Sequence, residues 1–306
     1  MAAAAAAAPS GWRRVVQWGS ETVATIVLLI VAVATNSATP PTPISFTERD
    51  PTYSYQLTIP ETVPFGMLLG ISLGIPVAVV LVVHTIKLVA ARGTPGAASG
   101  VCGVLSSFGW IFLCLTQCLI VVFALTDAMK IAMGRQRPNF FAMCNYQGYG
   151  DALKAGDLTP YFNATTAGVF GSLDNCRGST ANIWEGQKSF PSGHSSMSFG
   201  AMMFTTLYLR AAFGVANNVH VTLPAVVAAS PLVISSFVAI SRVRDRWHNP
   251  DDISVGALIG IGSALVAWWH YRAHRRSGYA PTAGPAALDD ESSKTDALLP
   301  APSAGY

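Results

Sequence analysis

Charged side chains are scarce in this sequence. Asp, Glu, Lys and Arg make up 11% of its 306 residues, whereas 51% of the residues are hydrophobic. A soluble domain carries about 25% charged residues, so the composition predicts an integral membrane protein. The formal net charge is only +3, and no basic tract interleaved with aromatic residues is present. These absences exclude nucleic acid as the expected partner.

Two other features are missing from the sequence. It has no internal repeat of the kind expected for an inverted-repeat transporter, and its charged groups fall at the ends of apolar runs rather than within them. A transporter is therefore disfavoured. The carboxylates are not grouped with the histidines in metal-ligand spacing, so we expect no metal or other cofactor.

Six apolar runs predict an all-α protein with six transmembrane helices. The first run contains Gln17 and Glu21 and is marginal. It is either a signal-anchor helix, which we favour, or a cleaved signal peptide. The membrane domain is expected over residues 15–272, with disordered cytosolic ends at 1–14 and 273–306. The spans are predicted at residues 15–34, 63–90, 101–129, 195–212, 219–240 and 253–269.

An even number of spans puts both termini on one side of the membrane. Apart from the polar clusters described below, the cations that flank the runs lie on that side, which predicts cytosolic termini. The long loop of residues 139–190 would then face the lumen or exterior. Asn163 begins a glycosylation acceptor tripeptide in this loop, although such tripeptides also arise by chance. Cys144 and Cys176 lie in the same loop and could form a disulfide in an oxidising compartment.

Residues 130–138, at the end of the third span, form the first polar cluster. Lys130 and Arg137 are seven residues apart, so a helix ending at Pro138 would project both from one face. Gly134 between them allows close approach. The alternative is ordinary snorkelling of cations at a helix terminus.

The second cluster lies immediately before the fourth span. A glycine at a helix start leaves backbone N–H groups available for an anion, and Ser192 adds a hydroxyl beside Gly193. His194 can give or take a proton near neutral pH. The alternative is that Ser192 simply caps the helix and His194 is a bystander.

The third cluster separates the last two spans. Arg242 can bind an anion, and His248 and Asp252 are four residues apart, which allows the carboxylate to hold an imidazole nitrogen. The alternative is a capping box in which Asn249 is the N-cap and Asp252 the third helical residue. Capping explains neither Arg242 nor His248. The three clusters together fit phosphoryl transfer, with cations and amides around the phosphate and two histidines for attack and protonation.

These clusters resemble the three motifs of the type 2 phosphatidic acid phosphatase superfamily. They match K-x6-RP, PSGH and SR-x5-H-x3-D without a substitution and in order, and the chain is most similar to the lipid phosphate phosphatases. The resemblance implies that His248 is the nucleophile that forms a phosphohistidine, that Asp252 orients it, and that His194 is the general acid. The phosphate would be bound by Lys130, Arg137, Ser192, Gly193 and Arg242.

The expected function is that of a metal-independent membrane lipid phosphatase. Its active site would face the exterior of the cell or the lumen of an endomembrane, and its partners would be membrane lipids. Candidate substrates are phosphatidate, lysophosphatidate, sphingosine 1-phosphate, ceramide 1-phosphate and diacylglycerol pyrophosphate. The alternatives are a soluble sugar phosphatase of the glucose-6-phosphatase type and a non-catalytic lipid-phosphatase-related protein. The choice of lipid, of membrane, and between a monomer and a homo-oligomer stays open.

Overall fold

Helices dominate the fold because a helix satisfies its own backbone hydrogen-bonding groups, as a lipid environment requires. The computed structural model describes residues 11–90, 97–214 and 222–276, and it is 74% helix. The predicted all-α class is confirmed, since the described ranges contain isolated β-bridges but no strand. The helices are α1 Gly11–Ala38, α2 Phe65–Leu69, α3 Ile75–Ala90, α4 Ala97–Met133, α5 Phe140–Cys144, α6 Tyr149–Ala155, α7 Thr159–Ala164, α8 Thr180–Gly186, α9 Gly193–Ala212, α10 Thr222–Ala229, α11 Pro231–Arg244 and α12 Pro250–Arg276.

Five segments of the described chain are long and apolar enough to cross a membrane, which makes the chain an integral membrane protein. The sequence predicts six. The helix missing from the five is α9, which is rich in Ser and Thr, so six spans remain a prediction. The five segments are Val15–Ala38, Phe65–Val89, Ser107–Met133, Thr222–Arg244 and Pro250–Arg275.

Helix α9 lies at the centre of the bundle, packed against α4, α11 and α12. Protein rather than lipid therefore surrounds it, and its polar side chains find partners inside. Thr126 of α4 donates to Ser196 Oγ at 2.9 Å, and Ser235 of α11 donates to the Ser198 carbonyl at 2.9 Å. Small hydroxyl residues at such interfaces allow close helix packing within a membrane.

Glycines bring the starts of α9 and α12 together. A Cβ on Gly256 would lie 2.6 Å from the Ser192 carbonyl oxygen, and one on Gly260 would lie 2.3 Å from the Ser196 carbonyl oxygen. Only glycine fits at this separation. The amide of Ser192 donates to the Asp252 carbonyl at 3.0 Å, which ties the two helix starts to each other. The second and third polar clusters of the sequence are thereby held side by side.

The loops on this side of the bundle form a folded cap. The Phe46 ring packs within 6 Å of Phe140, Phe141 and Tyr146, and the Tyr146 hydroxyl donates to Glu48 at 2.8 Å. A Cys144–Cys176 disulfide, present in the structure, joins α5 to the segment before α8. The cap covers the helix ends where the three polar clusters lie.

Some helix boundaries differ from those predicted. The fifth run is broken at Ser230, because Pro231 begins a new helix and removes a backbone donor. Helix α12 begins at Pro250, as its capping pattern predicts, and continues through residues 273–276, which the sequence assigns to the tail. The ends at residues 1–10 and 277–306, expected to be disordered, lie outside the described residues.

Candidate active site

A cavity of about 420 Å³ brings the three clusters together. Six of the eight predicted site residues line it. The other two, Ser192 and Asp252, are fully buried behind its wall. The cavity is also bordered by several apolar side chains and by charged and aromatic residues that the sequence did not single out, namely Glu61, Asp127, Glu185, Lys188 and Trp247. Its predicted lining residues are Lys130, Arg137, Gly193, His194, Arg242 and His248.

The first cluster does not lie on one helix, contrary to the prediction. Helix α4 ends at Met133, and Gly134 follows with a φ of +57°, a left-handed conformation that favours glycine. A Cβ at Gly134 would lie 1.6 Å from the Thr42 carbonyl oxygen, so the connector before α2 packs directly onto this turn. Arg137 therefore reaches the cavity from the loop, whereas Lys130 reaches it from the helix.

Arg137 is buried and held by partners on three sides. Its Nε donates to the Glu185 carbonyl at 2.9 Å, its Nη2 pairs with the Glu185 carboxylate, and its guanidinium lies 4.8 Å from the Trp247 ring centroid. A buried guanidinium needs a countercharge, and Glu185 supplies it. In this arrangement a carboxylate occupies the side of Arg137 on which an anion would bind.

The second cluster combines capping with an anion-binding geometry. Ser192 is the N-cap of α9, and its hydroxyl accepts from the Ser195 amide, so the capping interpretation is correct for that side chain. The N-terminal turn of the helix nevertheless borders the cavity through Gly193, whose added Cβ would lie 3.4 Å from Lys130 Nζ. An ammonium and a helix N-terminus therefore meet, which favours an anion between them.

His194 follows Gly193 in the cavity wall. Its Nε2 lies 3.0 Å from the Val63 carbonyl oxygen. Since a carbonyl only accepts, Nε2 must carry a hydrogen, and Nδ1 is then the nitrogen that can exchange a proton.

His248 is buried and its ring is fixed by Nδ1. This nitrogen lies 2.7 Å from the Ser189 carbonyl oxygen and 3.6 Å from Asp252 Oδ2. Nδ1 donates to the carbonyl, so Nε2 of the neutral ring keeps a lone pair. Burial lowers the pKa of His248 to about 3; Asp252 opposes this, while Arg137 and Lys130 add to it. The ring is therefore neutral over most of the pH range, as a nitrogen nucleophile must be.

Asp252 has several partners besides His248. Its Oδ2 accepts from the Asn249 amide at 2.8 Å and from Ser189 Oγ at 2.6 Å, and its Oδ1 accepts from Arg135 at 2.8 Å. The contact with the Asn249 amide is half of the expected capping box. The Ser189 carbonyl accepts the Nδ1 hydrogen bond of His248, and the nearest Asp252 oxygen lies 3.6 Å from the same nitrogen.

Arg242 completes the ring of cations around the cavity. Its Nη1 donates to Glu61 at 2.8 Å and contacts the Val63 carbonyl at 3.3 Å. Its guanidinium lies 5.4 Å from the Trp247 ring centroid, so this ring has Arg242 and Arg137 as its two cationic neighbours. Such contacts are typical cation–π interactions.

Three residues that contact Arg137 or Arg242 were not predicted from the sequence. Trp247 stands directly before His248, and an aromatic residue between charges could have suggested a cation–π role. Glu61 lies in a connector, whereas Glu185 lies in a short helix of the cap. Neither carries a spacing signal, because both reach their arginines only through the tertiary fold.

Three charged residues, Arg244, Asp245 and Arg246, lie between Arg242 and Trp247, and the sequence predicts that they are interface or rim residues. Arg246 fits this, since its guanidinium stacks over Tyr55 at 4.3 Å. Asp245 does not, because it is buried and accepts from both the amide and the hydroxyl of Thr62 at 2.7 Å. It anchors the segment that carries Glu61 and Val63 against the cavity.

The two predicted loop sites, the Cys144–Cys176 disulfide and Asn163, lie in the cap. Asn163 is exposed on α7, while Thr165 of the same tripeptide is buried and donates to the Tyr161 carbonyl at 3.0 Å. Glycosylation of Asn163 stays a prediction.

The family model described as the PAP2 superfamily matches residues 110–276, more than half of the chain. Lipid phosphate phosphatase 1 of Arabidopsis thaliana is 37% identical over 154 residues, which are 50% of this chain and 41% of that relative. Lipid phosphate phosphatase 2 of the same plant is 30% identical, over 69% of this chain and 62% of the relative. The probable diacylglycerol pyrophosphate phosphatase 1 of Schizosaccharomyces pombe is 32% identical, over 46% of each chain.

The chain spans about half the length of the curated relatives that it matches. No solved structure matches it.

Proposed function

Because this chain belongs to the PAP2 superfamily, we propose that it hydrolyses phosphate monoesters of membrane lipids through a phosphohistidine at His248. One observation carries the proposal. A single cavity is bordered by four cations, a helix N-terminus and two histidines, which include the groups that transfer of a phosphoryl group requires.

In the first half-reaction, Nε2 of His248 attacks phosphorus with its lone pair. The P–N bond forms as the P–O bond to the lipid breaks. Burial and the nearby Arg242 lower the pKa of His194 to about 2, and the charge of the dianionic substrate opposes them. His194, protonated in that complex, gives its Nδ1 proton to the departing alkoxide. The products are a free lipid alcohol, a phosphohistidine and a neutral His194.

In the second half-reaction, water attacks phosphorus as the P–N bond breaks. His194 takes the proton of the attacking water, which returns it to the protonated form. Inorganic phosphate leaves and His248 is again a neutral imidazole. Its Nδ1–H remains on the Ser189 carbonyl throughout, so Nε2 stays directed at phosphorus.

The cations neutralise the phosphate oxygens as charge builds up on them. Lys130, Arg137 and Arg242 would bind these oxygens together with the Gly193 amide. No step needs a metal ion. Among the described residues, the one cluster of three metal-ligating groups that lie close enough for an ion is remote from this cavity. Turnover is therefore expected to persist in excess EDTA.

Apolar side chains favour a lipid over a soluble sugar phosphate. The cavity that contains the cations is also bordered by Phe65, Leu68, Phe123 and Met197. An acyl or sphingoid chain could leave the phosphate site along this apolar wall, whereas the hydroxyl groups of a sugar would find few partners there. A phosphatase for a glucose-6-phosphate-like substrate is the less favoured candidate, and a non-catalytic role is disfavoured because every catalytic residue of the motifs is present.

A phosphate-release panel with purified protein in micelles tests the proposal. Phosphatidate, lysophosphatidate, sphingosine 1-phosphate, ceramide 1-phosphate, diacylglycerol pyrophosphate and glucose 6-phosphate would be compared. His248→Asn keeps an N–H that can donate to the Ser189 carbonyl, and it should release no phosphate above background. Arg244→Ala removes an exposed cation two residues from Arg242 and serves as the matched control. Retained activity in His248→Asn would refute the nucleophile.

The proposed orientation places the cap and the cavity outside the cytosol. Glycosidase treatment should then reduce the mass of the protein, and Asn163→Gln should abolish the shift. If a membrane-impermeant reagent labels a C-terminal tag on intact cells, the orientation is the opposite of the one proposed.

A further inference from the structure

A second polar cluster lies at the other end of the bundle. It consists of Glu21 on α1 and of His270 and His274, which are one turn apart on α12. His270 is 18 residues beyond Asp252 on the same helix, so the cluster is about 27 Å from the candidate active site along the axis of α12. The mechanism above uses none of these residues.

The geometry of the cluster is that of a three-ligand metal site. His270 Nε2 lies 3.7 Å from Glu21 Oε2, His274 Nε2 lies 3.9 Å from Glu21 Oε1, and all three ligand atoms fall within 4.8 Å of one another. Ligands of a tetrahedral Zn²⁺ with bonds of about 2.0–2.1 Å are roughly 3.4 Å apart. Reductions of up to about 1.4 Å in the separations of the ligand atoms would therefore close the site on an ion.

Neighbouring side chains hold the ligands in position. Gln17 donates to one oxygen of Glu21 at 2.9 Å and Gln117 of α4 donates to the other at 3.0 Å. The His274 ring stacks on Trp110, with ring centroids 5.0 Å apart. Hydrogen-bonded carboxylates and packed imidazoles are the usual supporting groups of a metal centre.

We propose that Glu21, His270 and His274 bind a divalent transition-metal ion of the Zn²⁺ class. Two imidazoles and one carboxylate are the donors that such ions prefer, and three protein ligands leave a position for water. An adjoining cavity of about 590 Å³, bordered by Glu21 and His270, has room for that water. The alternative interpretation of the cluster is an ion pair between Glu21 and a protonated histidine, without a metal ion.

The site would fasten α1 to α12. Helix α1 packs mainly against α4, and few of its residues are buried inside the protein. A metal ion would add a direct link between α1 and the helix that carries Asp252. The site also accounts for the polar residues Gln17 and Glu21, which are costly in a membrane span and make the first span marginal.

Metal binding is tested on the full chain in detergent, purified with a tag that contains no histidine and stripped with EDTA. Zn²⁺ should bind at one ion per chain and raise the thermal midpoint by roughly 5 °C at a hundredfold excess over Kd. Glu21→Gln and the double variant His270→Ala/His274→Ala should lose both effects. The double variant His194→Ala/His248→Ala should keep them, because it removes only the histidines of the other cavity.

Co²⁺ gives a readout that does not depend on stability. Bound to the wild type it should show visible d–d absorption, and His270→Cys should add a thiolate-to-metal band in the near ultraviolet. A folded His270→Cys protein without that band would overturn the proposal. So would metal binding that survives Glu21→Gln unchanged or that disappears in the His194/His248 double variant. An ion pair without metal affinity would give no Zn²⁺ or Co²⁺ binding in any variant.

Discussion

His248 donates its Nδ1 hydrogen to the carbonyl oxygen of Ser189 at 2.7 Å, while the nearest oxygen of Asp252 is 3.6 Å from the same nitrogen. A backbone carbonyl three residues before Ser192 therefore fixes the tautomer of the proposed nucleophile. Since the Ser189 hydroxyl donates to Asp252 Oδ2 at 2.6 Å, the carboxylate supports the segment that supports the histidine. Asp252 therefore caps α12 and holds Ser189, whereas the Ser189 carbonyl orients the His248 ring.

Asp252→Asn is expected to cost more in stability than in catalytic orientation. The NH2 group of the new asparagine is a donor, and it faces either Arg135 or Ser189, which are donors too. One of them loses its acceptor, so the free energy of unfolding should fall by about 1–3 kcal/mol. His248 keeps its acceptor on Ser189, and kcat should fall by only about tenfold, which corresponds to about 1.4 kcal/mol. Thermal unfolding in detergent and phosphate release measure the two effects.

His248→Asn is the reference for this comparison, because it should remove turnover while leaving the Asp252 contacts in place. A loss of kcat near 10⁴-fold in Asp252→Asn without a change in stability would contradict the assignment. That is about the loss seen when an essential orienting carboxylate of a catalytic triad becomes an amide.

Glu185→Gln is expected to tighten phosphate binding. Burial opposes ionisation of Glu185, but Arg137 and Lys130 hold the pKa of its carboxyl below the ordinary value, so the group is charged at neutral pH. Phosphate must displace that charge from Arg137. Removing it should lower the inhibition constant of inorganic phosphate by about 3- to 10-fold, or up to about 1.4 kcal/mol.

Glu61→Gln is the matched variant at Arg242, where the carboxylate lies 2.8 Å from the guanidinium. It should change phosphate affinity in the same direction. Weaker binding in both variants would mean that the carboxylates orient the arginines for phosphate rather than compete with it.

The sequence predicted the helical class and six of the residues that line the cavity, because apolar runs and short motifs are local signals. The link between His248 and Ser189 was not predictable in the same way. It depends on how closely α9 and α12 approach at Gly256 and Gly260. Their G-x-x-x-G spacing indicates a close helix contact but does not identify the partner helix.

The wrong prediction that Arg137 lies on the same helix as Lys130 has a similar cause. Helical spacing from Lys130 is a reasonable expectation, but Gly134 adopts a left-handed conformation because the Thr42 carbonyl packs against it. A glycine in a helical pattern signals a helix end as readily as a close approach. The partner that decides between them is 92 residues away in the sequence.

Acid is expected to destabilise the protein through His248. Its folded pKa is lowered to about 3, whereas the unfolded value is about 6.5. Between these values the unfolded chain binds a proton that the folded chain does not, so stability falls as pH falls from about 6.5 toward 3. His248→Asn should flatten this part of the profile. The thermal midpoint, followed by tryptophan fluorescence in detergent, measures it, and parallel profiles for the variant and wild type would contradict the burial of a neutral ring.

His194→Gln tests whether His194 donates a proton to the leaving group or only positions the phosphate. The glutamine amide can still donate to the Val63 carbonyl, as His194 Nε2 does at 3.0 Å, so the local fold should hold. A lipid alkoxide is a poor leaving group and needs the proton, and its turnover should fall by about 10²–10⁴-fold. 4-Nitrophenyl phosphate has a good leaving group, so its P–O bond can break without a proton donor.

Rapid mixing of His194→Gln with 4-nitrophenyl phosphate should therefore give a burst of one nitrophenolate per chain. Slow hydrolysis of the accumulated phosphohistidine should follow, since the base for the attacking water is also missing. His248→Asn should give no burst, which assigns the covalent bond to that residue. Equal losses with the aryl and the lipid substrate, and no burst, would mean that His194 only positions the phosphate. Its proton would then play no part in breaking the P–O bond.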